Sequence, residues 1–133
     1  MNKLKIINGK ILTPNRMISG TIYVESGQIR EVSEGNLEIP DACIIDARGC
    51  YVSPGFIDIH THGAGNHDFM DGTLEAYLQI AATHAAYGTT SLFPTTLAST
   101  REELEQTFAV YKEAKIKNKK GASFMGLHLE GPY

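Results

Sequence analysis

Over the first fifty residues, hydrophobic and polar positions alternate in short runs cut by turn-forming pairs, which is the pattern of strands rather than helices. Residues 4–7 and 10–12 flank Asn8-Gly9, and residues 21–24 and 28–32 flank Ser26-Gly27. Both pairs suit the positive φ angles of tight turns, so two hairpins are expected. A further strand is expected at 42–45, and no helical period interrupts this stretch.

From Ser53-Pro54-Gly55 onward the period changes. Residues 56–62 read as a strand. Leu74, Tyr77, Leu78, Ala81, Ala82 and Ala85 then recur at helical spacing across 73–87, and Gly88 supplies a stop. Residues 90–93 read as a second strand, followed by Pro94. Ser99 and Glu102 have the spacing of a capping box opening a second helix through Leu104, Phe108 and Tyr111, which Gly121 ends. A third strand is expected over 123–129. Strand, helix, strand, helix, strand implies parallel strands joined by helical crossovers.

The expected fold class is therefore α/β, in two parts. Residues 1–52 form the amino-terminal part of a small, β-sandwich-like domain. Residues 53–133 form the first two and a half β/α units of a (β/α)8 TIM-type barrel. The barrel is incomplete on this reading, since three strands cannot close one and a whole barrel takes roughly 200 residues or more.

Composition narrows the class further. The 133 residues are 42% hydrophobic and 20% charged, as in globular domains. A formal charge of −3 gives no electrostatic reason to expect nucleic acid. The lysines between Lys112 and Lys120 close a helical pattern, where cations complement the helix dipole, so a solvated helix end is expected. No apolar run reaches the length of a membrane span, and the start shows no signal-peptide core. Cys43 and Cys50 form no Cys-x-x-Cys motif and are expected to be buried thiols of a cytoplasmic protein.

Candidate chemistry sits at two strand ends. In Asp58-Ile59-His60-Thr61-His62, simple alternation puts Asp58, His60 and His62 on one face of the strand. In His128-Leu129-Glu130, alternation likewise pairs His128 with Glu130. Barrel enzymes place their reactive groups at the carboxyl ends of the strands, so the first and third strands would bring His60, His62 and Glu130 to one rim. A mixed imidazole and carboxylate set suits Zn²⁺ or another first-row divalent ion. Such an ion makes hydrolysis of an amide, ester or cyclic imide the expected reaction class. Asp58 and His128, each two residues before a proposed ligand, are expected to orient those ligands by hydrogen bonding. His67 and Asp68 lie in the following Gly-rich loop, where a turn role competes with a substrate contact. His84 reads as a structural helix residue, and Thr95 and Thr96 either line the pocket or begin a turn. No nucleophile elbow and no P-loop is present.

The run Pro54-Gly55-Phe56-Ile57-Asp58-Ile59-His60-Thr61-His62-Gly63 resembles the first barrel strand of the amidohydrolase superfamily, which includes dihydroorotases, hydantoinases and deacetylases. Two further runs resemble a narrower group, the N-acetylglucosamine-6-phosphate deacetylases. They are Gly88-Thr89-Thr90-Ser91-Leu92-Phe93-Pro94-Thr95 and Gly126-Leu127-His128-Leu129-Glu130-Gly131-Pro132. Ile7-Asn8-Gly9-Lys10 and Gly20-Thr21-Ile22 fit that family as well, so the likeness spans essentially the whole chain.

The resemblance implies that Glu130 binds the metal where other superfamily members use a carboxylated lysine, and that with both His60 and His62 present the site holds one or two ions. It implies removal of acetate from an amino-sugar phosphate by a cytoplasmic enzyme whose full-length form is a homodimer. It also implies that the catalytic aspartate, the remaining metal histidines and most sugar-phosphate contacts come from later strands. No catalytic acid or base is therefore expected within these 133 residues, the substrate contacts stay unassigned, and the chain alone is expected to be inactive. The competing readings are a dihydroorotase-like cyclic amide hydrolase and a non-catalytic remnant.

Overall fold

The computed structural model describes residues 3–131, so Pro132 of the Glu130-Gly131-Pro132 run lies outside the described residues. The chain is a mixed α/β protein that divides into two compact units, Met1–Pro54 and Gly55–Tyr133.

The first unit is a five-stranded sheet of β1 (Lys3–Leu12), β2 (Met17–Glu25), β3 (Gln28–Glu34), β4 (Cys43–Asp46) and β5 (Tyr51–Val52). β1 pairs antiparallel with β2, and on its other side parallel with β4 and β5. Ser26 and Gly27, at φ 53° and 76°, make the expected β2–β3 hairpin. Asn8-Gly9 makes no hairpin. β1 runs straight through it, and between Ile6 and Gly9 it gains one residue on β2, so the positive φ of Asn8 (56°) forms a bulge. The β1–β2 reversal falls instead at 13–16, where Thr13 Oγ1 accepts from the Arg16 amide. Both cysteines are exposed, contrary to expectation. Cys43 lies on β4, which among the described residues pairs on one side only and is exposed throughout, and Cys50 lies in the turn before β5.

The second unit opens with β6 (Phe56–Thr61), a small hairpin of β7 (Gly63–Ala64) and β8 (His67–Asp68), and a 3₁₀ turn (Phe69–Asp71). Then follow α1 (Leu74–Ala86), β9 (Thr89–Thr96), α2 (Arg101–Lys117), β10 (Ser123–Phe124) and β11 (His128–Leu129). β9 is central, with β6 parallel on one side and β10 and β11 parallel on the other. The expected strand–helix order and parallel pairing are both present.

Both helices start on threonine caps. Thr73 Oγ1 accepts from the Ala76 amide, and Thr100 forms a reciprocal box with Glu103. The box at α2 therefore lies one residue later than the Ser99–Glu102 spacing suggested. Asn118 ends α2, its side chain donating to Ala122 O and accepting from the Gly121 amide. Gly121 allows the chain to pass against α1, for a Cβ there would stand 2.5 Å from that of Ala81. Phe69, Tyr77, Ile80, Ala81, Leu92, Ala114, Ala122 and Phe124 form the buried core between the helices and the sheet.

The strand expected at 90–93 extends to Thr96, through Pro94. A proline in a central strand removes a ladder donor and is ordinarily excluded. Here both neighbours are irregular at that level. On β6, Asp58 to Thr61 lies opposite Leu92 to Pro94, three steps against two. On the other side, Phe124 to His128 lies opposite Leu92 to Thr95, four steps against three, which breaks the expected third strand into β10 and β11. The ladder is already interrupted on both flanks of Pro94.

Candidate metal centre

The β6 bulge contains His60, and the break between β10 and β11 immediately precedes His128. On β6 the bulge undoes the alternation predicted from sequence. Asp58 pairs with Leu92 and Thr61 with Pro94, both buried residues of β9, so Asp58 and Thr61 face the helix layer together. Both touch His84 of α1: Thr61 Oγ1 lies 3.3 Å from its Nε2, and Asp58 Oδ2 lies 3.9 Å from its Nδ1. Asp58 therefore does not share a face with His60 and His62. Its Oδ1 instead accepts from the main-chain amide of His60 at 3.1 Å. The next amide, that of Thr61, donates to Thr95 Oγ1 at 3.0 Å. Side chains thus satisfy two successive amides within the bulge.

His60 and His62 turn the other way, toward Glu130 just beyond β11. The two Nε2 atoms are 3.3 Å apart, and Glu130 Oε2 lies 3.3 Å from the first and 3.1 Å from the second. These three are the cluster capable of holding a metal ion among the described residues. A tetrahedral ion with bonds of about 2.0–2.1 Å spaces its ligand atoms roughly 3.3 Å apart, which the three observed separations match. Three lone-pair donors this close repel one another unless a cation lies between them. One proton bridges a single pair, whereas a divalent ion engages all three, so the donor set fits a metal.

His128 packs edge-on against the His60 ring, with centroids 4.5 Å apart. Nδ1 of His62 and Nδ1 of His128 are buried without a partner among the described residues. A ligating imidazole ordinarily donates its second nitrogen to a carbonyl or carboxylate, and the described residues supply none for His62. Thr95 is fully buried and is committed to the Thr61 amide and to Phe93 O, a role no local sequence signal marks. Thr96 is buried with its hydroxyl unpaired among the described residues. His67 pairs with Asp71 at 3.5 Å, while Asp68 caps the 3₁₀ turn, so this loop is held by its own contacts. Among the described residues no helix is long and apolar enough to cross a membrane.

A parallel sheet with two histidines and a glutamate converging from different strands points to a class, and the comparisons agree on it: the chain is related to the hydrolases of the amidohydrolase superfamily. No family profile matches. Among the relatives that match nearly all of its length are N-acetylglucosamine-6-phosphate deacetylases, in keeping with the motifs at 88–95 and 126–132, and D-hydantoinases match most of it as well. The deacetylase of Bacillus subtilis (strain 168) is 32% identical over 92% of this chain and 32% of its own length. The crystal structure of the deacetylase from Pasteurella multocida superposes with a TM-score of 0.87 at 28% identity, over 98% of this chain and 35% of that one. A dihydroorotase of Aquifex aeolicus (strain VF5) is 45% identical, but over only 47% of this chain and 15% of its own length. The chain thus spans about a third of the length of the deacetylases it matches.

Proposed function

We propose that this chain supplies the amino-terminal part of an enzyme that hydrolyses the acetamide of N-acetylglucosamine 6-phosphate to glucosamine 6-phosphate and acetate. The observation that carries this reading is the convergence of His60 Nε2, His62 Nε2 and Glu130 Oε2 within 3.1–3.3 Å. Residues 1–52 belong to a small β domain in this reading, and residues 53–133 to the first two and a half units of a (β/α)8 barrel. His60, His62 and Glu130 hold one zinc ion, whose chemistry is to polarise a carbonyl oxygen and to lower the pKa of water toward neutrality.

The chain's own residues do the placing. The β6 bulge aims His60, the break between β10 and β11 brings Glu130 to the same point, and His128 fixes the tilt of the His60 ring by edge-on contact. A catalytic aspartate and the remaining ligands come from later strands of the enzyme, which works as a cytoplasmic homodimer. A deacetylase fits this chain with a TM-score of 0.87, against 0.63 for a D-hydantoinase that also covers nearly all of it, which favours acetamide over cyclic amide as the substrate bond.

Glu130→Gln keeps the shape of the side chain but removes its charge. It should lower Zn²⁺ affinity by more than the roughly 10- to 100-fold that loss of an outer-shell partner costs. Chelator competition on this chain measures that directly. Unchanged affinity would remove Glu130 from the ligand set. Acetate release from N-acetylglucosamine 6-phosphate by the enzyme containing this chain, set beside ring opening of dihydroorotate, decides between the two substrates.

A further inference from the structure

His84 lies in the last turn of α1, where an imidazolium would complement the helix dipole from a solvent-facing position. The side chain does not face solvent. It is 15% exposed and turned inward against β6, with Nε2 3.3 Å from Thr61 Oγ1 and Nδ1 3.9 Å from Asp58 Oδ2. Those two residues bracket the bulge that aims His60, and both also anchor its main chain. Asp58 accepts the His60 amide, and the Thr61 amide is held by Thr95. A bulge is a local interruption of the ladder, so its geometry rests on whatever side chains replace the missing bonds.

We infer that His84 is a positioning residue for the metal centre, bracing both ends of the β6 bulge so that His60 is held toward His62 and Glu130. The inference rests on the metal-binding reading above, and it reaches the site through Asp58 and Thr61, since the His84 ring itself touches no proposed ligand. Loosening either end lets the His60 amide and ring drift, and metal sites lose affinity steeply when a ligand's outer support goes. The inference assigns a role to a helix residue whose sequence context marks only a helix end.

The test compares the natural chain with His84→Leu, which is close in volume and no weaker a helix former but loses both polar contacts, and with His84→Gln, which can restore one. Two readouts are needed. Hydrogen exchange of the His60 amide, followed by NMR without metal, reports the brace itself. Co²⁺ titration, followed by its visible absorption, reports the site. His84→Leu should exchange the His60 amide about tenfold faster, with α1 amides unchanged, and should weaken Co²⁺ binding about tenfold, with partial rescue in His84→Gln. Equal His60 exchange and equal Co²⁺ affinity in a folded His84→Leu chain would overturn the role. Should that variant not fold, Thr61→Val removes one contact within a β-branched strand residue, and an unchanged His60 exchange rate there would overturn it equally. If the natural chain takes up no Co²⁺, the metal reading fails, and the His60 exchange comparison alone decides the brace.

Discussion

Thr95 and Tyr77 are both fully buried, yet their hydroxyls stand in opposite positions. Thr95 Oγ1 accepts the Thr61 amide that the bulge takes out of the ladder, so Thr95→Val leaves that N–H without a partner. A loss of about 1–3 kcal/mol in unfolding free energy is expected, measurable by urea denaturation. The Tyr77 hydroxyl has no partner among the described residues, and burial pushes its pKa well above the ordinary phenol value. Tyr77→Phe removes that unpaired group while keeping the ring packed on Phe69 and Phe124. It should be neutral or stabilising by up to about 1 kcal/mol. A clear loss on the same denaturation curve would show that the hydroxyl finds a partner in solution. At this scale the sequence made His60, His62 and Glu130 legible, because metal-ligand side chains at strand ends are a chemical signal. It marked Thr95 only as a pocket or turn residue and did not reveal its role, which comes from an amide 34 residues away.

Elements were legible where a local pattern decides them and misread where pairing decides. The helices and parallel strands follow from period, and Ser26-Gly27 turns as expected. Asn8-Gly9 carries the same positive-φ signal, but β1 has partners on both sides along this stretch, and the signal serves a bulge. At α2 two adjacent threonine- and serine-led spacings compete, and Thr100 with Glu103 wins. The Glu103 carboxyl is held below its ordinary pKa, first by the Ser99 hydroxyl and then by the Thr100 amide and hydroxyl. A carboxyl whose folded pKa is lowered stabilises the fold above its unfolded pKa, and that contribution fades as pH falls through the folded value. The first turn of α2 should therefore loosen as the solution is acidified through and below the ordinary carboxylate range. Exchange of the amides of residues 101–104 would show it. Glu103→Gln should flatten that pH dependence, and Thr100→Ala should cost about 1 kcal/mol at neutral pH.

On the scale of the whole molecule, apolar surface and open strand edges set the behaviour. Ile57 and Ile59 are 65% and 69% exposed on β6, which among the described residues pairs on one side only. In the first unit an apolar cleft of about 330 Å³ is lined by Ile11, Ile22, Val24, Ile29 and Val52 among others. Unpaired apolar edges of this kind recruit other strands, so this chain alone should self-associate with rising concentration. Ile59→Lys, which puts a charge on the open strand, should shift the association to higher concentration in sedimentation velocity. Equal sedimentation of both chains at every concentration would place the contact elsewhere.

The extra residue in β6 also divides the strand by tolerance to change. Asp58 and His60 are two positions apart, and a regular strand would hold them to the same requirement. Here Asp58 answers to the helix layer, and His60 answers to the cluster with His62 and Glu130. A deep mutational scan scored separately for folding and for metal uptake should therefore change rhythm at Ile59. Before it, folding restricts Asp58, while the exposed Phe56 and Ile57 tolerate change. After it, the folding restriction passes to the odd position Thr61, and the even positions His60 and His62 are restricted by metal uptake alone. Deleting Ile59 would merge the two rhythms, restoring a regular strand at the expense of the point where the three ligands meet.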